Sequence, residues 1–306
     1  MIFSGFTDEV SSSLADQIAV TKELGWSNIE MRDVDDKLLG TMTDEEFDKV
    51  YQMLTESGVK LHCYGSAVAN WRRHPRSAQD FEETKNELLT AIPRMQKLGC
   101  KLIRGMSFLM TPDEEPDSPE LEQIIFAKVK ELVKICEDNG IVYGHENCMN
   151  YGGLSYLHTL KLLEAVGDTK AFTLIYDTGN PCFNYRHIGQ KPYPLQSSWE
   201  FYKMVRPYVT HVHIKDGTAL PQADGNRPSA RFTFAGDGNG DVRAIMTDLR
   251  ETGYDGAFSM EPHMGSIYHD PNGNVNSPEA KKFRHDIYVE YCKRFMQLLR
   301  ECGWQF

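Results

Sequence analysis

The chain has 306 residues, 41% of them hydrophobic, and a formal net charge of −11; this length suffices for one large core, and the acidity argues against binding to nucleic acid or an anionic membrane. No apolar run is long enough to span a bilayer, and the first residues, MIFSGFTDEVSS, lack the basic and apolar regions of a signal peptide. The seven cysteines are widely spaced and include no C-x-x-C pair, which argues against a disulfide framework and predicts a cytoplasmic protein.

Short β-rich runs alternate with amphipathic helical patterns along the whole chain. In chain order, the predicted strands are MIFSGF, SNIEMRD, KLHCYGS, CKLIRGMSF, IVYGHEN, FTLIYDTGN, VTHVHIKD and GAFSMEPH. The helical patterns include SLADQIAVTKELG, TDEEFDKVYQMLTESG, SPELEQIIFAKVKELVKICEDNG and a closing SPEAKKFRHDIYVEYCKRFMQLLRECG. Thr43 with Glu46, and Ser118, supply capping signals at two helix starts. Several patterns end in a glycine that suits a left-handed C-cap: Gly25, Gly58, Gly99 and Gly140.

These eight strand–helix units predict an α/β fold, a (β/α)8 TIM barrel rather than an open doubly wound sheet. No linker or shift in composition divides the chain, so we expect one domain over residues 1–306. Longer segments follow strands at residues 68–77, 180–198 and 217–241. Because the loops after barrel strands carry the site, these segments are the predicted walls of a substrate pocket.

Strands five to eight each end in a residue that can bind a metal: Glu146, Asp177, His213 and Glu261. A barrel gathers the C-terminal ends of its strands at one mouth, so these side chains should converge there. Three carboxylates so close together need a compensating charge, which a divalent cation supplies. An oxygen-rich set with one nitrogen favours Mn²⁺, with Mg²⁺ or Co²⁺ as alternatives, over zinc. The alternative is that each residue is an ordinary polar strand end.

Five motifs carry a family resemblance over essentially the whole chain: GHEN, YDTGN, HVHIKD, GDGNGD and GYDGAFSMEPH. The chain resembles the xylose isomerase-like TIM barrels, a superfamily of sugar isomerases and epimerases that also includes inosose dehydratase and endonuclease IV. By analogy with ketose 3-epimerases, the resemblance implies that Glu146, Asp177, His213 and Glu261 are the metal ligands. It also implies that Glu146 and Glu261 exchange protons with the sugar carbon on opposite faces.

Two positions depart from the 3-epimerase pattern. Asn180 stands where those enzymes commonly carry a histidine that contacts the substrate, so we expect Asn180 to bind substrate. Lys215 follows His213 as in inosose dehydratase-like members. At the mouth its ammonium could hold a substrate oxygen or act as an acid. The alternative is that Lys215 pairs with Asp216 or with a carboxylate of the pocket.

Three further histidines lie near the strand ends. His145 could serve as an extra catalytic base, although strand alternation points it away from the barrel axis. His263 follows Glu261 by two residues and could bind substrate or cap its loop. His211 lies one layer deeper than His213, and we expect it to be buried and to support its neighbours by hydrogen bonding.

Glu30, Tyr64 and Arg104 end the second, third and fourth predicted strands. They could contact substrate hydroxyls or an anionic group, or form salt bridges among themselves. The motif GDGNGD lacks the spacing of a phosphate-binding or calcium-binding loop, so we expect a structural turn in which Asp241 caps the following helix. Loop residues that could be solvent-exposed or belong to a lid are His187, Arg227 and Arg231.

The favoured function is a divalent-metal-dependent sugar isomerase or epimerase that abstracts a proton next to a carbonyl through a metal-stabilised enediolate. The alternative is a lyase on the same scaffold, which would dehydrate a keto-polyol or release an aglycone from a 3-oxo-glycoside. Endonuclease IV-like DNA repair is disfavoured because it would need more histidines and a basic groove. A non-catalytic ligand-binding barrel is a further alternative. The expected partner is a small-molecule sugar or sugar derivative, and exposed aromatic residues could also seat a homo-oligomer or a small partner subunit.

Overall fold

The protein is represented by a computed structural model that describes residues 1–111, 114–220, 228–265 and 277–306. Its main sheet has eight parallel strands: β1 Ile2–Gly5, β2 Asn28–Met31, β3 Lys60–Val68, β4 Leu102–Gly105, β5 Val142–Glu146, β6 Phe172–Asp177, β7 Val209–Ile214 and β8 Ala257–Met260. From β2 to β8 each strand pairs with the next, and β8 pairs with β1. A parallel bridge between Phe6 and Glu30 joins the end of β1 to β2 and closes the ring.

Helices alternate with these strands. In the described ranges there are eight α-helices: α1 Leu14–Glu23, α2 Asp44–Ser57, α3 Ala78–Leu98, α4 Pro119–Asp138, α5 Tyr156–Val166, α6 Ser198–Val205, α7 Val242–Glu251 and α8 Pro278–Glu301. The alternation confirms the predicted (β/α)8 barrel, while the assignment of one domain stays a prediction. Among the helices of the described chain, none combines the length and apolarity needed to cross a membrane.

The helix ends follow the capping signals of the sequence. Thr43 accepts a hydrogen bond from the Glu46 amide, and the Glu46 side chain accepts one from the Thr43 amide, which completes a capping box at the start of α2. Gly58 follows α2 with a φ of 73°, a left-handed conformation that costs glycine little. Local sequence therefore sets where the helix begins and ends.

Strand β7 shows how alternation separates the core from the site. Val212 and Ile214 are buried in an apolar cluster with residues of the surrounding helices, whereas His211 and His213 contact Glu30 of β2 inside the barrel. Successive side chains on a strand point to opposite faces, so one face of β7 packs against helices and the other faces the barrel interior. The core therefore lies between strands and helices, and polar groups collect inside the ring.

Asp216 joins the end of β7 to the GDGNGD motif. Its Oδ1 accepts hydrogen bonds from the amides of Gly217 (2.7 Å) and Gly240 (2.8 Å), and its Oδ2 accepts from those of Gly236 (2.8 Å) and Gly238 (3.1 Å). A Cβ at Gly238 would lie 2.3 Å from Asp216 Oδ1, so a side chain there would collide with the carboxylate. The glycines thus let the backbone wrap around one buried anion.

The prediction that Asp241 caps α7 is wrong. Asp241 precedes the helix, but its φ of 52° is left-handed and its side chain makes no capping hydrogen bond to this described helix. Its Oδ2 instead accepts from the Trp199 amide of α6 at 3.0 Å. The predicted loop 217–241 also contains an antiparallel ribbon, in which Gly217–Leu220 pairs with Ser229–Phe232.

Candidate metal centre

Four successive strands deliver ligand-type side chains to one place. Glu146 ends β5, Asp177 ends β6, His213 is the penultimate residue of β7, and Glu261 directly follows β8. One oxygen or nitrogen from each lies within 4.8 Å of those of the other three, and all four residues are buried. The structure thus brings together the four residues that the sequence marks as metal ligands, at the mouth where the barrel gathers its strand ends.

Each of these four residues carries one buried side-chain atom that makes no hydrogen bond in the described part of the chain: Glu146 Oε2, Asp177 Oδ2, His213 Nδ1 and Glu261 Oε2. The three oxygens make ion-pair contacts instead, with the Lys215 ammonium or the Arg104 guanidinium. Buried polar atoms are normally satisfied, since leaving one unpaired costs about 1–3 kcal/mol. Four such atoms facing one another have the chemistry of a cation site, because all four are lone-pair donors.

The remaining oxygens of these carboxylates are held by the protein. Asp177 Oδ1 accepts hydrogen bonds from the amides of Gly179 (2.8 Å) and Asn180 (2.7 Å). The Asn180 side-chain amide donates to Glu146 Oε1 at 3.1 Å. These bonds fix the orientation of the two carboxylates, and they place the predicted substrate residue Asn180 in the cluster.

Lys215 supplies positive charge beside the cluster. Its Nζ lies 2.9 Å from Asp177 Oδ2, 3.1 Å from Glu261 Oε2 and 3.4 Å from Asn180 Oδ1, and the residue is 3% exposed. Burial favours a neutral amine, but the carboxylates outweigh it and raise the pKa of Lys215 above its ordinary value. Lys215 is therefore a fixed ammonium that contacts two of the proposed ligands.

One lysine does not balance the negative charge. Burial, together with the neighbouring Glu261 and Glu146, raises the pKa of Asp177 to about 6 despite the opposing effect of Lys215. Burial also disfavours a charged His213, yet the surrounding carboxylates, with Glu30 first among them, raise its pKa well above the ordinary value. Burial also acts on Glu146 and Glu261, but Arg104 and Lys215, respectively, hold the pKa of these carboxyls below the ordinary value. The protons of the cluster therefore collect on Asp177 and His213.

Arg104 and His263 also reach ligand residues. Arg104 Nη1 lies 3.3 Å from Glu146 Oε2, and the rest of its guanidinium donates to the carbonyls of Gly65 and Ser66. His263 places Nε2 3.3 Å from Glu261 Oε1. The structure therefore brings both predicted substrate residues to the cluster, where each contacts a ligand carboxylate.

Three residues near Glu261 are not predicted from the sequence as part of the site. His263 Nδ1 lies 2.9 Å from Glu9 Oε1, and Arg32 Nη1 lies 3.6 Å from Glu261 Oε1 while its Nε donates to Asp8 at 2.7 Å. Asp8 and Glu9 lie just after β1, and Arg32 directly follows β2. The same argument about strand ends, applied to the first two strands, would have identified them.

His145 does not join the cluster. Its Nε2 lies 3.0 Å from Ser107 Oγ, which in turn donates to Asn150 at 2.7 Å, and a Cβ at Gly152 would lie 2.3 Å from the ring. Full burial lowers the pKa of His145 to about 4. Alternation along β5 turns His145 to the face opposite Glu146, so the assignment of a catalytic base to this position is corrected.

Tyr64 is also placed away from the cluster. It does not end its strand, because β3 continues to Val68. Its hydroxyl accepts from the Gly40 amide at 3.2 Å and interacts with the Glu87 carboxylate of α3, and its ring belongs to the apolar core. The assignment of Tyr64 to substrate is therefore corrected.

Two of the loop candidates, His187 and Arg231, lie in the described part of the chain, and neither contacts the four-residue cluster there. His187 stacks on Tyr193 with ring centroids 4.6 Å apart, and Arg231 lies on the antiparallel ribbon. Arg227 falls outside the described residues.

The chain belongs to the xylose isomerase-like TIM barrel family, whose pattern it matches over residues 18–302. It is 29% identical over 180 residues to an uncharacterized protein of Methanocaldococcus jannaschii, a match that covers 58% of this chain and 50% of that protein. The chain thus spans about half the length of the curated relative that it matches.

Solved structures share the fold at low identity. The zinc-binding IolI protein superposes with a TM-score of 0.70 at 16% identity, over 98% of this chain and 99% of its own. The probable 3-DHS dehydratase AsbF of Bacillus anthracis gives 0.66 at 18%, over 97% and 99%. A D-allulose 3-epimerase from Methylomonas sp., solved with D-allulose, gives 0.65 at 18%, over 97% and 96%. At these identities the likeness establishes the fold and no particular reaction.

Proposed function

We propose that this protein is an enzyme that binds a divalent cation and isomerises or epimerises a sugar or sugar derivative. The observation that carries the proposal is the convergence of four buried ligand-type atoms, contributed by Glu146, Asp177, His213 and Glu261, within 4.8 Å of one another. Support comes from the zinc in IolI and the sugar bound to the D-allulose 3-epimerase, which share this fold. Three oxygens and one nitrogen suit Mn²⁺ best, with Mg²⁺ and Co²⁺ as alternatives.

The cation would supply positive charge for the enediolate that forms when a proton leaves the carbon beside a carbonyl. The protein's own residues would move that proton. Glu146 and Glu261 could each offer one oxygen to the cation and use the second oxygen to accept or return a proton. They stand on β5 and at the end of β8, with two strands between them, so they approach the intervening space from different sides.

Two further side chains would orient the substrate. Lys215 presents an ammonium and Asn180 an amide at the same edge of the cluster, 3.4 Å apart. An ammonium can hold the carbonyl or the hydroxyl next to the reacting carbon, and an amide can discriminate hydroxyls by donating or accepting. Arg104 would hold Glu146 in place rather than touch the sugar, because its guanidinium is already bound to backbone carbonyls.

A lyase is the second candidate, and the position of Lys215 favours it. An ammonium 3.1 Å from Glu261 can protonate a leaving hydroxyl while the carboxylate removes the neighbouring proton. The likeness in fold to the probable dehydratase AsbF supports the same candidate. The two candidates share proton abstraction and differ only in whether a leaving group is lost.

The test is hydrogen exchange followed by NMR in D₂O. The Mn²⁺-loaded protein would be incubated with ketoses, keto-inositols, sugar phosphates and 3-oxo-glycosides. We expect deuterium at a carbon beside the carbonyl of one substrate, with its substituents intact; loss of water or of an aglycone would assign the lyase. Glu146→Gln and Glu261→Gln should abolish exchange, whereas Glu56→Gln, a substitution on the exposed part of α2, should not. Exchange that survives both site substitutions would refute the proposed site.

A further inference from the structure

Glu30 contacts His213, one of the four residues of the candidate metal centre, from inside the barrel. It belongs to β2 and is 0% exposed, and the β2–β3 register shifts between Ile29 and Glu30. Its Oε2 lies 2.9 Å from His211 Nε2, and its two oxygens lie 3.1 and 3.2 Å from His213 Nε2. One carboxylate from the second strand therefore bridges two histidines of the seventh.

This contact determines which nitrogen of His213 faces the cluster. An ionised carboxylate only accepts hydrogen bonds, so both Nε2 atoms carry the proton that they donate to Glu30. His213 Nδ1 is then the nitrogen that faces the cluster, 3.5 Å from Glu146 Oε1 and 3.3 Å from Glu261 Oε2. It would offer its lone pair once a cation displaces the second proton of the ring. A histidine that ligates a metal commonly donates its other N–H to a carboxylate, which fixes its ring and tautomer.

The same three residues could instead hold a cation of their own, since their ligand atoms lie within 4.8 Å of one another. That arrangement would move the protons of both histidines to Nδ1. His211 Nδ1 has no hydrogen-bond partner among the described residues, so it would become a buried and unpaired donor. A proton on His213 Nδ1 would point to the carboxylates of Glu146 and Glu261 and would remove that nitrogen from the four-residue centre. Direct hydrogen bonds to Glu30 avoid that cost, and they leave His213 Nδ1 available to the proposed centre.

We propose that Glu30, braced by His211, is a positioning residue that presents His213 Nδ1 to the divalent cation. The inference rests on the proposed function only in assuming that a cation binds at the four-residue cluster. It gives His211 a definite role, because His211 donates a second hydrogen bond to the Glu30 carboxylate that holds His213. Glu30 is thus assigned to the metal centre and not to substrate hydroxyls.

The test compares Mn²⁺ affinity between folded variants, measured by the electron paramagnetic resonance signal of free Mn²⁺. In Glu30→Gln an amide nitrogen replaces one acceptor oxygen, and we expect the dissociation constant to rise by about 10- to 100-fold. His211→Asn leaves Glu30 in place but removes its second hold, so we expect a smaller rise. Glu87→Gln is the matched control, because Glu87 is also a buried carboxylate but binds the Ala67 amide and the Tyr64 hydroxyl.

Each outcome has a separate meaning. Equal affinities for wild type and Glu30→Gln, with a loss of melting temperature like that of Glu87→Gln, would reduce Glu30 to a structural role and leave the cation proposal standing. No Mn²⁺ binding by the wild type would overturn both proposals. ¹⁵N NMR of the Mg²⁺-saturated wild type needs no variant: we expect His211 and His213 protonated on Nε2, and a proton on His213 Nδ1 would overturn the inference.

Discussion

Replacing Lys215 by methionine should tighten the binding of a divalent cation, although it removes a residue of the proposed active site. The Lys215 ammonium lies 2.9 Å from Asp177 Oδ2 and 3.1 Å from Glu261 Oε2, and both residues belong to the four-residue cluster. The ammonium and the cation would therefore neutralise the same two carboxylates. Methionine keeps the length and volume of the side chain and removes only its charge.

The size of the effect follows from the burial of the pair. Removing one partner from a buried ion pair destabilises a protein by about 3–5 kcal/mol, because the other charge is left uncompensated. That loss falls fully on the metal-free protein. If the cation restores about half of it, the variant gains about 2 kcal/mol of binding free energy, which corresponds to about 30-fold tighter Mn²⁺ binding. Turnover should nevertheless fall, since the substrate loses its ammonium.

The assay is isothermal titration of Mn²⁺ into wild type and Lys215→Met, with circular dichroism to confirm that both are folded. Lys128→Met serves as the control, because Lys128 is a partly buried lysine that donates to the carbonyls of Pro75 and Ser77 and to no carboxylate of the centre. Its affinity for Mn²⁺ should equal that of the wild type. Unchanged or weaker binding by Lys215→Met would show that the lysine and the cation do not share these oxygens.

Three further predictions concern stability. Burial lowers the pKa of His158 to about 4 against an ordinary 6.5, despite the nearby Asp117, so its contribution is present above pH 6.5 and is lost as the pH falls towards 4. Urea unfolding at pH 7.5 and 5 should show the wild type losing about 2 kcal/mol more than His158→Gln, and equal losses would contradict that pKa. Tyr64→Phe should lose about 1–2 kcal/mol in thermal melts with unchanged Mn²⁺ affinity; weaker binding would return Tyr64 to the site. Asp216→Asn should lose about 3 kcal/mol by the same measurement, because an amide keeps one acceptor oxygen where the carboxylate has two, whereas Asp237→Asn in the same loop should lose none.

The alternation of strand and helix patterns, and the position of polar residues at strand ends, were enough to predict the barrel and the convergence of its four ligand-type residues. Glu146, Asp177, His213 and Glu261 lie at strand ends that a barrel must bring together, whatever the details of packing. Lys215 follows from the same reasoning, because it lies two residues beyond His213 on the same face. These assignments use only local sequence and a closed ring of strands, and both kinds of information are present in a single chain.

Predictions from the sequence fail where a strand is irregular or where the contact partner of a residue is distant in the chain. The sequence predicts that Tyr64 ends its strand, but β3 continues to Val68. The register with β4 is irregular between Tyr64 and Val68, and no local sequence signal predicts that irregularity. For Glu30 the sequence leaves open a substrate contact or a salt bridge with Tyr64 or Arg104, yet its partners His211 and His213 lie 181 and 183 residues away. Which of many distant groups will satisfy a buried carboxylate depends on packing, and periodicity carries no information about it.

The Asp216 carboxylate, which accepts hydrogen bonds from the amides of Gly236, Gly238 and Gly240, affects how the loop after β7 could change in evolution. These bonds connect the end of β7, next to Lys215, to backbone that lies 20 to 24 residues further along the chain, just before α7. Chain inserted between two points that are already fixed adds only a slowly growing entropy of loop closure. The segment between Gly217 and Gly236 can therefore be lengthened, shortened or exchanged while the lysine stays in position. A loop exchanged there would reach the candidate metal centre through Phe232, whose ring packs against His263.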